Sequence, residues 1–268
     1  MFEIIEENAQ LDSSVKIGNH TIIKSGAQIG KNTIIGDFCY IDSNVVIGEN
    51  NHIGTGVYIK GKTNIGNNNY ILDQTIIGLP SKHIGYHHYQ GRVIIGNDNF
   101  ISNNCAIDAG NNHLSDKHPE LLFYMNIDLP QEENFEDATI ISNRCYILNG
   151  VSVHHNCRIG LGNIPNSKDE YDTVICAGCC LNGFVQVHKG CELSSGTYVR
   201  EFAAIGEGAF TAMLSHITKD VPPFTFIRNN KNCGDFERLQ KKFNVSSEQI
   251  EDLRRSFQNH TSKKLKSY

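Results

Sequence analysis

The chain has 268 residues, of which 39% are hydrophobic, and a formal net charge of −5 in which both signs are mixed. This charge balance gives no whole-protein electrostatic case for nucleic acid as a partner. The N-terminal stretch MFEIIEENAQ lacks the basic segment and apolar core of a secretory signal, and no stretch has the ~20 apolar residues that span a bilayer. We therefore expect a cytoplasmic protein without an integral membrane segment.

The nine cysteines are spread along the chain rather than set at the spacings of a disulfide framework. This distribution predicts reduced and mostly buried thiols. Cys176, Cys179 and Cys180 resemble half of a zinc site, but no second pair follows at the spacing of a zinc finger. We interpret these three as small interior residues, and we expect neither a metal nor a tightly bound cofactor.

An aliphatic residue recurs at every sixth position of the N-terminal part of the chain. The first run is Ile5, Leu11, Ile17, Ile23, Ile29, Ile35, Ile41, Ile47, Ile53, Ile59, Ile65, Ile71 and Ile77. The period resumes over residues 95–107, 141–159 and 175–217. A period of six fits neither an α-helix nor a simple half-buried strand, but it fits short strands joined by corners, with Gly and Asn supplying the corner conformations. The repeat therefore predicts an all-β solenoid, a parallel β-helix of about nine or ten coils.

Three interruptions of the repeat predict loop insertions near residues 78–93, 108–138 and 161–172. Ile77 and Ile95 are eighteen residues apart, which is the length of one full coil of three six-residue sides. We therefore expect the repeat to keep its phase through the first insertion. The second insertion breaks the phase, and the third adds ten residues. Because loops on a rigid scaffold often carry function, these segments are candidates for shaping a binding site.

The repeat stops after KDVPPF, residues 219–224. Ser246 and Gln249 have the spacing of a capping box that begins a helix, and a shorter helix is expected around residues 235–243. The apolar stripe of the longer helix is expected to consist of Ile250, Leu253 and Phe257. We therefore divide the chain into a β-helix over residues 1–220 and a small C-terminal α-helical domain over residues 221–268.

An ordered series of motifs along the chain carries a family resemblance. It consists of YQGR before VIIGNDNFI, HHNCRIG, NGFVQV, REFAAIG, DVPPF and ERLQKKF. With the Ile-Gly hexapeptides, this series resembles the acyl-carrier-protein-dependent UDP-N-acetylglucosamine acyltransferases of lipid A biosynthesis over nearly the whole chain. The resemblance implies a left-handed β-helix, a homotrimer with sites between neighbouring prisms, a UDP-sugar acceptor, and phosphopantetheine delivered by acyl carrier protein.

The resemblance also implies a catalytic pair. His155 matches the family's general base, which must be a neutral imidazole to take a proton from the sugar hydroxyl as it attacks the acyl thioester. The unperturbed pKa of histidine, about 6.5, suits this role near neutral pH. Gly183 matches a glycine whose backbone N–H stabilises the oxyanion.

Further positions match groups that bind the nucleotide sugar. The resemblance implies that Lys241 and Lys242 lie near the diphosphate, where two cations offset phosphate charge. Arg200 and Glu201 fall where the family places groups around the sugar nucleotide, although all four residues are equally consistent with an exposed surface.

Acyl carrier protein is acidic, so a basic docking face is expected for the donor. Lys241, Lys242, Arg254 and Arg255 are the candidates for this face despite the negative net charge.

Several positions depart from the family's pattern. Asn156 stands where the family often has Asp, and it lacks the charge with which Asp orients the base. Ser152, Phe184 and Arg200 replace three histidines of the family's pocket. The insertion at 161–172, which is foreign to the family, is expected close to His155. These changes favour a different acceptor, and acylation of an amino group is an alternative because an amine needs less help from the base.

Met213 falls where the family's acyl groove ends. A glycine there would leave the groove open, whereas a flexible methionine side chain would fill the space of several methylene groups. We therefore expect a shorter acyl chain than in a glycine-bearing relative, with Met213 as ordinary filler of the repeat being the alternative.

Two other function classes remain open at this stage. One is a zinc β-helix similar to the γ-class carbonic anhydrases, with His154, His155 and His188 as possible ligands. In the acyltransferase interpretation, His154 is instead expected to be an outward bystander. The other class is a non-catalytic solenoid, which should display regular outward ladders that this chain lacks.

Overall fold

The fold is a left-handed parallel β-helix followed by two short helices, seen in a computed structural model that describes residues 4–81, 91–111 and 137–264. Three parallel sheets form the faces of a triangular prism, and the chain visits them in the repeating order A, B, C. Corners AB, BC and CA denote the turns that join a strand on the first-named sheet to the next strand on the second.

The strands are mostly two to four residues long. Sheet A contains β1 Ile4–Ile5, β4 Ile22–Ile23, β7 Tyr40–Ile41, β10 Tyr58–Ile59, β13 Ile76–Leu79, β16 Ala106–Asp108, β19 Ser152–Val153, β22 Cys180–Leu181, β25 Tyr198–Val199 and β28 His216–Ile217. Sheet B contains β2 Gln10–Leu11, β5 Gln28–Ile29, β8 Val45–Ile47, β11 Lys62–Ile65, β14 Arg92–Ile95, β17 Ala138–Ile141, β20 Arg158–Leu161, β23 Gln186–His188 and β26 Ala204–Ile205. Sheet C contains β3 Lys16–Ile17, β6 Ile34–Ile35, β9 His52–Ile53, β12 Tyr70–Ile71, β15 Phe100–Ile101, β18 Cys145–Ile147, β21 Thr173–Ile175, β24 Glu192–Leu193, β27 Phe210–Thr211, β29 Thr225–Arg228 and β30 Lys231–Asp235.

The core is the column of aliphatic side chains that the six-residue period predicted. Ile23, Ile41, Ile59 and Ile77, for example, stack on the inner side of sheet A and are fully buried. Each contacts its equivalent one coil away, so the core is continuous along the prism although it is thin in cross-section. Burial of this apolar surface is the main stabilising term, at roughly 25 cal/mol per Å².

A ladder of buried amides runs up the inside of the BC corner. The side chain of Asn69 donates to the Oδ1 of Asn51 at 3.0 Å and to the carbonyl of Gly96 at 2.9 Å. Its own Oδ1 accepts from the backbone and side-chain nitrogens of Asn99, both at 3.0 Å. Because each member satisfies its neighbours, these polar groups can be buried at little cost.

Many corners contain a residue in the left-handed backbone region, which explains the frequency of asparagine in the repeat. Asparagine holds this position with φ between 56° and 58° at Asn32, Asn50, Asn68, Asn104 and Asn156. The short polar side chain makes this conformation accessible without glycine, so the corner sequence can vary while the path of the chain is preserved.

The first insertion does not keep the phase that the six-residue count predicted. Ile77 lies on sheet A, whereas Ile95 pairs with Ile65 and lies on sheet B, one face later. The segment is therefore an extra loop at the AB corner rather than a full coil. The second insertion also joins a strand of sheet A to one of sheet B. Residues 82–90 and 112–136, the central parts of these two predicted insertions, lie outside the described residues.

The third insertion leaves the prism at the BC corner and packs on the C-terminal helices. Ile164 is buried in a small apolar cluster with Phe224, Phe243 and Ile250. The backbone N–H groups of residues 163 and 164 donate to the buried carboxylate of Glu207 at 3.0 and 3.1 Å. The expectation that this insertion changes the surroundings of His155 is wrong. The insertion leaves the BC corner, whereas His155 lies at the AB corner, and a strand of sheet B separates the two corners.

The C-terminal part adds a hairpin and two helices. Strands β29 and β30 form an antiparallel pair, and β29 extends sheet C, so the β-helix continues past the expected end at residue 220. Helix α1 spans Glu237–Phe243 and α2 spans Ser247–Lys264. The predicted capping box of Ser246 and Gln249 is confirmed by reciprocal hydrogen bonds of 2.8 and 3.2 Å. Neither helix, nor any other in the described part of the chain, is long and apolar enough to span a membrane.

The amide ladder yields a stability prediction. Asn69→Leu removes four hydrogen bonds and leaves buried groups of Asn51, Asn99 and Gly96 without this partner, which should lower the free energy of unfolding by about 2–4 kcal/mol. Urea denaturation at fixed protein concentration measures the change. The control is Asn64→Leu on the exposed side of β11, which should change stability by no more than about 0.5 kcal/mol. Equal effects of the two variants would contradict a stabilising role for the ladder.

Candidate functional site

The AB corner brings residues from distant parts of the sequence into adjacent rungs. Strand β16 pairs with β19, and β19 pairs with β22, so the turns that follow these strands stack on one another. His155 lies in the middle turn, and Gly183 lies in the equivalent turn one coil later. Three rungs of one corner therefore form the candidate site.

The orientation of His155 is controlled by Asn156. The Oδ1 of Asn156 accepts the backbone N–H of Asn111 at 2.9 Å, while its Nδ2 donates to the carbonyl of the same residue at 3.2 Å. This pair of bonds determines which end of the amide faces the imidazole, and the oxygen lies 3.1 Å from His155 Nδ1. An amide oxygen only accepts, so Nδ1 carries a hydrogen, and in the neutral imidazole the lone pair is on Nε2.

The ring of His155 packs against Gly183 and Phe184. A Cβ atom on residue 183 would lie 2.6 Å from Cε1 and 2.7 Å from Nε2 of the imidazole, so only glycine leaves room for the ring. Phe184 meets the imidazole edge to face, with ring centroids 5.3 Å apart, and stacks on Phe202 of the next coil. His155 is only 5% exposed in the single chain, so its position is rigidly defined.

His154 is not the outward bystander that the sequence predicted. Its Nδ1 lies 3.1 Å from Oδ2 of Asp108, a carboxylate that is almost completely buried. Cys180 begins the strand on the next rung of the same sheet. Mainly because of the bond with Asp108, and then because of Cys180, the pKa of His154 is raised to about 9. The imidazole is therefore a cation at neutral pH.

Cys180 and Cys176 differ from the expectation for the cysteine trio. Only Cys179 points into the core, while the other two are half-buried at the surface of the prism. The reason is the alternation of strand β22, which turns Leu181 inward and Cys180 outward. The prediction of mostly buried thiols is confirmed, since six of the nine cysteines are buried.

The other predicted site residues divide between three corners. Ser152, Arg200 and Glu201 lie on the same side as His155, on sheet A or at the AB corner, and the last two are exposed. Met213 lies at the CA corner and is 69% exposed. Lys241 and Lys242 lie on α1 at the BC corner. Within one chain, therefore, neither the lysines nor Met213 approaches His155.

The predicted basic groups are largely paired with carboxylates inside the chain. Lys242 lies 3.2 Å from Asp169 and 3.4 Å from Glu192, and its side chain is 13% exposed. Arg254 is paired with Asp235 and Glu251, and Arg255 is paired with Asp252. Lys241 is exposed and forms no ion pair with any residue of the described ranges. Little basic surface is thus available from this group.

The three histidines considered as zinc ligands do not converge in one chain. His188 lies at the far end of its sheet B strand, with its ring 6.3 Å from that of Phe257 on α2. Nδ1 of His154 contacts the carboxylate of Asp108, and Nδ1 of His155 contacts the amide oxygen of Asn156. Among the residues that the structure describes, no three His, Cys, Asp or Glu side chains are placed to hold a metal ion.

Sequence reasoning missed the residues that support the two histidines. Asp108 and Asn111 lie at the start of the predicted second insertion, 46 and 45 residues before their partners, and the broken phase hid their alignment with the following coil. Thr139 was also missed; its hydroxyl accepts the backbone N–H of Asn156 at 2.9 Å. Ile107 and Val153 occupy equivalent inward positions of neighbouring coils. Aligning these two residues in the sequence would have placed the next residues, Asp108 and His154, opposite each other.

Comparisons with known proteins agree with this fold. A family model described as Bacterial transferase hexapeptide (six repeats) matches residues 26–61. An acyl-[acyl-carrier-protein]–UDP-N-acetylglucosamine O-acyltransferase from Gloeothece citriformis is 26% identical over 142 residues, which cover 52% of this chain and 47% of that protein. The enzyme of the same name from Synechocystis is 28% identical over 136 residues, or 50% and 45% of the two chains. The chain thus spans about half the length of the curated relatives it matches.

Solved structures extend the similarity to nearly the whole chain. A UDP-N-acetylglucosamine acyltransferase from Bacteroides fragilis superposes with a TM-score of 0.71 at 23% identity, covering 89% of this chain and 82% of that one. One from Arabidopsis has a TM-score of 0.71 at 20% identity, covering 96% and 80%. At these identities the structural similarity shows the fold, and the family resemblance carried by the motifs is confirmed.

The ion pair of His154 makes stability depend on pH. Its pKa is raised from 6.5 to about 9 on folding, so its contribution to stability is complete below pH 6.5 and is lost as the pH rises from 6.5 to 9. His154→Gln lacks this contribution, so the gap in melting temperature between wild type and variant should be widest below pH 6.5 and narrow above 9. Asp108→Asn, which removes the partner, should show the same trend. A gap that is constant or widens with pH would contradict the assignment.

Proposed function

We propose that the chain is an acyltransferase that moves an acyl group from the thioester of an acyl carrier protein to a UDP-N-acetylglucosamine-type nucleotide sugar, with His155 as the general base. The relatives that carry this activity in their names support the reaction class. The observation that carries the proposal is the Asn111–Asn156–His155 network, which puts the lone pair of the imidazole on Nε2, beside Gly183.

The role proposed for His155 is removal of the proton from the acceptor hydroxyl. The ring is held by a hydrogen bond at Nδ1, so in the neutral imidazole Nε2 would accept the proton as the oxygen attacks the acyl carbonyl. The tetrahedral intermediate then collapses, the bond from the acyl carbon to the pantetheine sulfur breaks, and the imidazolium gives its proton to the leaving thiolate. Asn156 stabilises the imidazolium less than a carboxylate would because it carries no charge.

Gly183 is suited to stabilise the oxyanion of the tetrahedral intermediate. At the equivalent turn position of N-terminal coils, an Asp or Asn from the next rung accepts the backbone N–H, as Asp37 does from Asn19 at 2.5 Å. The residue one rung above Gly183 is Glu201, and no side chain or carbonyl of the described residues accepts the Gly183 N–H. This donor is therefore available to a substrate oxygen next to the base.

The remaining parts of the proposal require a second copy of the chain. The AB corner with His155, the BC corner with Lys241 and the CA corner with Met213 are different edges of the prism. A homotrimer with its sites between neighbouring prisms would allow residues from different edges to meet. In that arrangement Lys241, rather than the paired Lys242, supplies the charge for the diphosphate. The phosphopantetheine arm arrives with the acyl carrier protein.

N-acylation is the second form of this proposal, and one observation favours it. Asn156 donates to the carbonyl of Asn111, which a carboxylate at 156 could not do without repulsion, so the site is built around a neutral partner for the base. An amine is a better nucleophile than a hydroxyl and needs less activation. UDP-N-acetylglucosamine and its 3-amino analogue distinguish the two forms.

The proposed base is tested by His155→Ala. With a panel of acyl carrier proteins and the two sugar nucleotides, the variant should lose about 100-fold or more in kcat/KM because proton transfer to a positioned base is lost. Gly183→Ala should cause a similar loss, since its Cβ would lie 2.6 Å from the imidazole and displace it. Mass spectrometry of the sugar product measures turnover. The control is His216→Ala, at an outward position of sheet A; equal activity of all three variants would contradict the assignment.

The predicted limit that Met213 sets on the length of the acyl chain is tested by Met213→Gly. Wild type should prefer ten-carbon over fourteen-carbon donors, and the variant should relax this preference by about tenfold or more, because each buried methylene contributes about 0.8 kcal/mol. Competition between the two donors measures the ratio. The control is Leu214→Asn in the same turn, because asparagine tolerates the left-handed backbone found there. A wild-type preference for the fourteen-carbon donor would contradict the prediction.

A further inference from the structure

Four consecutive residues contact the turn that carries both histidines of the AB corner. We call this segment, residues 108–111, the shelf. At one end of the shelf, Oδ2 of Asp108 lies 3.1 Å from Nδ1 of His154. At the other end, the backbone N–H of Asn111 donates to Oδ1 of Asn156 at 2.9 Å, and its carbonyl accepts from Nδ2 of the same amide at 3.2 Å. The shelf is therefore attached to the residues immediately before and after the proposed base.

The shelf is closely packed along its whole length. Asp108 and Ala109 are almost completely buried. The backbone N–H of Ala109 donates to the carbonyl of Leu79 at 2.7 Å, and a Cβ atom on Gly110 would lie 2.1 Å from the carbonyl oxygen of Asp137. Because closely packed interiors transmit strain rather than absorb it, a displacement of the carboxylate at one end of the shelf is passed to the other end.

His154 supplies a positive charge to the buried carboxylate of Asp108. Removing one partner of a buried ion pair is much more costly than breaking a pair at the surface, because the remaining charge stays in a poorly solvated place. A carboxylate that loses this cation is drawn towards water, which changes its position in the shelf. The imidazole of His154 is a cation at neutral pH because the bond with Asp108 raises its pKa to about 9.

We propose that the ion pair of Asp108 and His154 positions the proposed base, because it holds the shelf where its other end fixes the amide of Asn156. The inference rests on the proposed function of His155. Without the ion pair, the shelf shifts and the amide loses the two bonds to Asn111 that determine which end faces the imidazole. A flipped amide presents Nδ2, which is a donor, to Nδ1 of the ring. The neutral imidazole must then carry its hydrogen on Nε2, where it can no longer accept a proton from the acceptor.

The ion pair also makes turnover depend on pH at the alkaline end. The imidazolium of His154 is present below its raised pKa of about 9 and is lost as the pH rises through that value, so turnover should fall there. Asp108 faces His154 from the preceding rung, and His155 is its neighbour along the chain. Cys180 begins the strand on the next rung, so its thiol is a further titratable group close to the pair.

The first test compares charge variants of the pair in the acyl-transfer assay near neutral pH. Asp108→Asn and His154→Gln should each lower kcat by about 10-fold or more while KM for the acceptor stays within about threefold, because alignment of the base is lost rather than binding. His154→Lys keeps a cation and should have a kcat at least about threefold above that of His154→Gln. The matched control is Lys24→Gln, which removes the cation of the Glu6–Lys24 pair at the same corner position of an N-terminal coil and should leave kcat unchanged.

The second test is the pH profile of kcat. Wild type should lose turnover as the pH rises through about 9, whereas His154→Lys should keep it to higher pH because the unperturbed pKa of lysine is about 10.4. Cys180→Ala should keep the wild-type limit, which shows that the thiol is not its cause. A limit that moves in Cys180→Ala but not in His154→Lys would overturn the inference.

The third test measures the tautomer of His155 without any substrate. Solid-state NMR of protein labelled with 15N-histidine is recorded at about pH 8, and the His155 signals are assigned by their absence from His155→Ala. Wild type should carry the hydrogen on Nδ1, and Asp108→Asn should carry it on Nε2. The same change should appear in wild type between about pH 8 and 10, so this test does not depend on the folding of a variant. A tautomer that is unchanged in both cases would contradict the inference.

The outcomes separate this inference from the proposed function. If Asp108→Asn and His154→Gln keep kcat within about threefold of wild type while His155→Ala loses it, the ion pair has no positioning role and the proposed base stands. If wild type acylates neither sugar nucleotide, the proposed function fails, and the NMR measurement still decides whether the ion pair controls the tautomer. Loss of turnover in both charge variants together with a change of tautomer supports both.

Discussion

The in-register stacking of one coil on the next is the constraint on which the whole structure depends. Each inward isoleucine contacts its equivalent in the neighbouring coils, and each short strand hydrogen-bonds to the strand above and below. A shift by one residue would turn the aliphatic side chains outward and the polar ones inward. The register is therefore strongly specified, and it converts separations of 18, 28 or 46 residues into direct contact.

At the AB corner this register brings two histidines with different partners side by side. His155 is held by the amide of Asn156, which is in turn fixed by the backbone of Asn111. His154 is paired with the buried carboxylate of Asp108, which raises the pKa of the imidazole and makes it a cation at neutral pH. The neighbouring rings therefore have partners of different charge, an amide for His155 and a carboxylate for His154.

The solenoid also explains how the chain tolerates long interruptions. A loop that leaves at a corner and returns at the same corner does not change the path of the coils, so the strands on either side remain paired. The insertion at the BC corner has acquired a further role, because Ile164 and Asp169 join it to α1 and α2. The helices consequently pack on the side of the prism rather than only on its last coil.

The sequence by itself determined the architecture, because a six-residue period of β-branched residues is incompatible with any other regular packing. It also determined the start of α2 through the capping box of that helix. His155, Asn156, Gly183 and Phe184 were singled out by the resemblance of their motifs to a known family, and the structure brings them together at one corner.

Only the tertiary structure decided the partners of the two histidines. Asp108 and Asn111 lie at the start of a predicted insertion that interrupts the count, and the polar side chains at corners follow no period. It also decided that Lys242 is paired and that the third insertion lies away from His155. Contacts between corners and helices depend on three-dimensional packing, which a one-dimensional repeat does not encode.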